Sequence, residues 1–184
     1  MPRLFIWLLF WGLRLTLAQT DTLGLSNGLL AFNVSHLSLQ LVRDSQTAFS
    51  LKPNGQGTQS PDFIPFDVMT KRSSNGQYHL GDITFRARKV GTSTWVNGDS
   101  ARSRAKVLPL PVSSDTLAAA DLSPTLPSDS LLNITRRWVN QGGNLQLLFD
   151  VRNSQTTPVE IGAIGAPLEF NNVSLSAFWS SLLD

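Results

Sequence analysis

The chain has 184 residues, no cysteine, 41% hydrophobic side chains and a formal charge of +2. A chain of that size and composition can bury one core, and the missing cysteines exclude a disulfide framework. Removing residues 1–18 takes away Arg3 and Arg14 and leaves 13 basic against 13 acidic side chains, so nucleic acid, which needs clustered Lys and Arg, is not an expected partner.

The first predicted element is a signal peptide over 1–18. Arg3 precedes an apolar run from Leu4 to Leu13, and Thr16 and Ala18 are small enough for the two shallow sites of a signal peptidase. Cleavage after Ala18 leaves Gln19 as the first residue. Arg14 ends the apolar run after about ten residues, whereas a membrane anchor needs roughly 20. Stable membrane insertion is therefore not expected, and the mature chain is expected to be extracellular. N-glycosylation sequons at Asn33-Val34-Ser35, Asn133-Ile134-Thr135 and Asn172-Val173-Ser174 fit that address. Asn133 lies between Leu132 and Ile134 on a predicted strand, so a glycan there requires the outward face.

Period two dominates the rest of the chain. His36 to Leu41 alternates strictly, which puts Leu37, Leu39 and Leu41 on one face of a half-buried strand. Ile83 to Arg88 repeats the pattern, with Ile83, Phe85 and Ala87 inward and the arginines toward water. Leu131 to Trp138 and Leu145 to Val151 flank the glycine-bearing loop Asn140 to Asn144, which reads as a hairpin. After a polar turn at 153–158 the chain enters a further strand, Val159 to Ile164. Asn-Gly pairs at 54–55, 75–76 and 97–98 read as turns.

These elements predict an all-β fold, an antiparallel β-sandwich over 19–174 that is incomplete on its own. Its expected inward residues are Leu37, Leu39, Leu41, Ile83, Phe85, Leu145, Leu147, Phe149 and Ile161. The Pro-rich stretch 107–130 holds Pro109, Pro111, Pro124 and Pro127, which cannot donate to a central ladder. It reads as a crossing loop, with a short helical turn or an edge strand near Thr116 to Leu122. The apolar tail 175–184 reads as a gene-model artefact. The other reading is a short C-terminal helix, with Leu175, Phe178, Trp179, Leu182 and Leu183 on roughly one stripe.

No catalytic constellation stands out. His36 and His79 lie on different predicted strands, each expected to be solvated, with no cysteine or carboxylate at ligand spacing, so no metal is expected. Gly-x-Ser-x-Gly and a phosphate loop are both absent, and no cofactor is implied. Asp62, Asp67, Asp82, Glu160 and Glu169 show no spacing that pairs two carboxylates across a sugar. Arg86, Arg88, Lys89, Arg102, Arg104 and Lys106 alternate with apolar residues and read as the wet face of two strands. Sugars stack their apolar faces on exposed aromatic rings. Tyr78 and Trp95 are the candidate sugar-binding residues, whereas Trp138, closing a strand, reads as core.

The segments SLKP, DFIPFD, NGQYHLGDITFRAR, TRRWVNQGGNLQLLFDVRN and PVEIGAIGAPLEFNN, in that order, resemble the N-terminal β-sandwich of a family of large secreted, mostly fungal proteins that carry a domain of unknown function. The likeness covers roughly Asn27 to Asn172. In that family a longer region follows that looks like the α-helical toroid of six-hairpin glycosidases. The resemblance thus implies a carbohydrate-active parent of glycoside-hydrolase type, with polysaccharide or cell-wall glycan as partner and a missing helical domain as packing neighbour. It carries no catalytic residue onto this chain. The other expectation is a free-standing secreted sugar-binding or cell-wall-associated glycoprotein.

Overall fold

The computed structural model describes residues 24–54, 61–64, 78–102, 104–168 and 170. The signal peptide with Ala18 and Gln19, the Asn75-Gly76 pair, Asp67, Glu169, Asn172 and the tail 175–184 lie outside the described residues.

Ten antiparallel strands run through the described residues in three sheets. The first is a meander of β1 (Leu29–Val34), β2 (Leu37–Val42) and β3 (Ala48–Pro53). In the second, β4 (Thr84–Lys89) lies between β5 (Val96–Asp99) and β10 (Val159–Gly165). The third is a four-stranded sheet of β6 (Leu108–Pro109), β7 (Thr116–Asp121), β8 (Leu132–Gln141) and β9 (Asn144–Asn153). The fold is thus all-β, as the alternating pattern predicts, and consistent with a sandwich.

Strand parity decides what is buried. On β8, Leu132, Ile134, Arg136 and Trp138 face inward and are buried, while Asn133 is exposed and Thr135 and Arg137 are only half-buried. The inward side chains form two apolar clusters. One joins Leu39, Leu41, Val42, Ala48 and Leu51 of the meander to Ala118 and Trp138 of the four-stranded sheet. The other joins Ile83, Phe85 and Ala87 to Ala120, Leu132 and Ile134. Burying a Leu, Ile or Phe stabilises by about 1.5–3 kcal/mol each, so these contacts are what hold the layers together.

Arg136 lies on the inner face of β8 between the two clusters, 1% exposed. Its Nη1 donates to the Gly81 carbonyl at 2.5 Å, just before β4, and its Nη2 donates to the Ser45 carbonyl in the β2–β3 loop. One guanidinium therefore ties both three-stranded sheets to the four-stranded one. Burial brings its pKa down to about 10, opposed by the negative charge of Asp82, so it stays cationic at neutral pH. Next to it, Trp138 donates its indole N–H to the Gln46 carbonyl at 3.0 Å. Backbone groups of a buried loop thus find partners that strands alone do not supply.

Several expectations need correction. Ile161 is 46% exposed, although it aligns with buried Ala87; β10 is an edge strand, and its inner side receives little cover. Asn97-Gly98 is no turn but the middle of β5. Gly98 is required there because a Cβ would lie 1.9 Å from the Phe85 ring. Of the two readings of the alanine run the strand is the one found, as β7 with Ala118, Ala119 and Ala120 buried, but it lies between β6 and β8 rather than at the sheet edge. The prolines fall on the short β6, in the connection after it and in the turn after β7, where missing donors cost little. His79 and Arg104 are buried rather than solvated, for reasons given below. The hairpin is tighter than the sequence suggests: β8 and β9 run on to Gln141 and Asn144, and Gly142 and Gly143 turn the chain with φ of 59° and 85°.

Candidate functional site

The most concentrated polar cluster is buried. Asp82 Oδ1 accepts from Ser100 Oγ and Arg104 Nη1, both at 2.9 Å. Its Oδ2 accepts from Arg104 Nη2 at 2.7 Å and from the His79 backbone N–H at 2.8 Å. The His79 ring completes the group, with Nδ1 3.2 Å from Arg104 Nη2. Burial pushes the Asp82 pKa up, but the His79 side chain and the Arg104 guanidinium act the other way. Together they hold it well below the usual carboxylate range. Ser100 gives its hydroxyl to Asp82 and not to His79, so the three do not form a nucleophile, base and orienting acid in sequence. The side chains of Asp82, His79 and Arg104 are at most 2% exposed, which leaves no approach for a substrate. The cluster fixes the loop before β4 to the loop after β5.

The two other described carboxylate candidates also hold structure. Asp62 accepts from Ser50 Oγ at 2.6 Å and from the backbone N–H groups of Leu51 and Ile64, each at 2.9 Å. Glu160 pairs with Arg88 at 2.8 Å. Among the described residues, no group of three His, Cys, Asp or Glu gathers at metal-binding range.

Tyr78 and Trp95 each neighbour Arg86 on the outward face of the β10–β4–β5 sheet. Trp95 leads into β5 and is half-buried; its ring lies over β10 where Gly162 leaves room, a Cβ there falling 2.7 Å from the indole. Arg86 and Arg88, outward on β4, each place Cζ 4.4 Å from the indole centroid. Arg86 links this stack to a cleft of about 340 Å³ lined by Tyr78, Thr84, Arg86, Asn97, Asp99 and Arg102 among others. The Tyr78 hydroxyl donates to Asp99 Oδ2 at 3.1 Å, and that bond together with the Asp99 charge raises the phenol's pKa. Asp99 Oδ1 accepts the Ala101 N–H at 2.9 Å. Each oxygen of this carboxylate therefore already accepts one hydrogen bond.

The sequence pointed to Tyr78 and Trp95 but not to what connects them. Arg86 and Asn97 pair across β4 and β5, a register hidden in the sequence because Asn97-Gly98 reads as a turn. Asn33 and Asn133 are both exposed. Asn133 lies on the outer face of the four-stranded sheet, beside Thr135, Asp150 and Arg152. Among the described residues, no helix is long and apolar enough to cross a membrane.

Fold and face together define an all-β domain with a polar, aromatic sheet face open to solvent. The chain belongs to the family of unknown function DUF5695, whose model matches residues 40–177. No curated protein matches the chain. No solved structure matches it either.

Proposed function

We propose that the chain is the non-catalytic N-terminal sandwich of a secreted carbohydrate-active protein of glycoside-hydrolase type, and that the Tyr78–Trp95 face is its glycan contact. The observation that carries this reading is that Tyr78 and Trp95 both neighbour Arg86 on one outward sheet face, with a row of side-chain donors beside them. The leader over 1–18 and the exposed sequons Asn33 and Asn133 support export. Ile161, Ile164, Leu168 and Phe170 are each 46% exposed or more, at and just beyond the β10 edge. An apolar run of that kind supports a module that packs on a further part of its protein.

Electrophoresis of the secreted chain through gels containing a soluble plant or fungal polysaccharide tests the reading. The wild-type chain is expected to be retarded and Trp95→Ala to migrate as in an empty gel, with no new reducing ends in either case. Retardation unchanged in Trp95→Ala would remove the stacking face from the account. Turnover abolished by a single Asp or Glu substitution would make the chain an enzyme.

A further inference from the structure

The cleft beside Trp95 carries more positive than negative charge. Arg86, Asn97 and Arg102 bring guanidinium and amide groups to it, and all three are exposed. Its one carboxylate, Asp99, already accepts from Tyr78 and from the Ala101 backbone. Arg88 on the same sheet face is paired with Glu160. No such ion pair engages Arg86 or Arg102 among the described residues. Two cations against one occupied anion leave the cleft with a net positive charge.

The stack on Trp95 sharpens this. A guanidinium over an indole uses its flat face, and its in-plane N–H groups stay available. Those in-plane groups match the two oxygens of a carboxylate, the geometry in which arginine binds most strongly. The stack also holds a long side chain in place, so less rotamer freedom is lost when a ligand arrives. Tyr78 supplies an aromatic wall, and Ala163 on β10 adds only a small side chain to the lining.

We propose that the cleft between Tyr78, Arg86, Asn97 and Arg102 binds the carboxylate of an acidic sugar, a uronic acid residue within a glycan chain. The inference rests on the glycan reading of this face and adds the substrate class. Neutral sugars offer hydroxyls, which both donate and accept. A carboxylate also answers the net positive charge of the cleft, which a neutral sugar does not.

The test is calorimetric titration of the full secreted chain with trigalacturonate, with a neutral trisaccharide and with sodium sulfate. Wild type, Arg86→Gln, Arg102→Gln and a control, Arg152→Gln on the opposite layer, are compared, with thermal melts to confirm that each exposed substitution leaves the fold intact. Trigalacturonate is expected to bind best, to weaken as salt rises, and to lose about tenfold in affinity in each cleft variant, with the control unchanged. Equal binding of the neutral trisaccharide, indifferent to both arginines, overturns the acidic assignment and leaves the glycan reading standing. Sulfate binding as tightly as trigalacturonate shows a simple anion site and overturns the saccharide. Binding of neither saccharide removes the glycan reading and this inference with it.

Discussion

Replacing Asp82 with alanine is expected to destabilise the folded chain by about 3–5 kcal/mol, the range seen when one partner of a buried ion pair is removed. The carboxylate receives two Arg104 nitrogens, the Ser100 hydroxyl and the His79 N–H. Its loss deprives all of them of an acceptor in a place water does not reach. Because the folded state holds the Asp82 pKa below its ordinary value, its contribution is fully present above the unfolded-state value of about 4 and is lost as pH falls through the folded-state value. Urea unfolding of wild type and Asp82→Ala should therefore differ by a constant amount from about pH 7 to pH 5. The gap should narrow below about pH 4, where the unfolded-state carboxylate takes up a proton that the folded one still refuses. A gap under about 1 kcal/mol at neutral pH, the size of an exposed pair, would contradict the structural role given to the cluster.

The second large effect is expected at Phe85. The ring is 4% exposed, within the cluster that joins β4 to β7 and β8, and it fills the space in front of Gly98. Phe85→Ala should cost about 3–5 kcal/mol, from the lost burial and the cavity left behind. Phe149 packs against the same cluster but is only half-buried, so Phe149→Ala should cost less, about 1–2 kcal/mol. Gly98→Ala alone should also be harmful, since its methyl would overlap the Phe85 ring, and it should become tolerable once Phe85 is alanine. Equal losses at Phe85 and Phe149, or a Gly98→Ala penalty that persists without the ring, would show that the packing is different.

Strands with a clean period of two were legible because alternation survives whatever they pair with. Thus β2, β4, β8, β9 and β10 lie close to where the pattern puts them. What escaped has identifiable causes. β1 reads LLAFNV, with adjacent apolar residues that give no parity. β5 contains Asn-Gly, the local signature of a turn, and only the ring of Phe85 across the ladder explains the glycine. Arg136 sits at the inward parity of β8 between Ile134 and Trp138, so its burial was readable from spacing. Its acceptors, the Ser45 and Gly81 carbonyls, come from loops far away in sequence. The same distance hid the Asp82 cluster: His79 and Arg104 look solvated in one dimension, and only folding sets both beside one carboxylate. For the face, both aromatic rings were legible as residue types. Their convergence around Arg86 depends on the β4–β5 register, which no local pattern specifies.

The measurement that tests the account most directly is a chemical-shift map of the secreted chain titrated with uronic and neutral oligosaccharides, with product formation followed in the same tubes. The account predicts shifts centred on the Tyr78 ring, the Trp95 indole and the backbone amides of Arg86, Asn97 and Arg102, in a sample where no oligosaccharide is shortened. Shifts confined to the four-stranded sheet or to the β10 edge, or shortening of the oligosaccharide by the isolated chain, would contradict it.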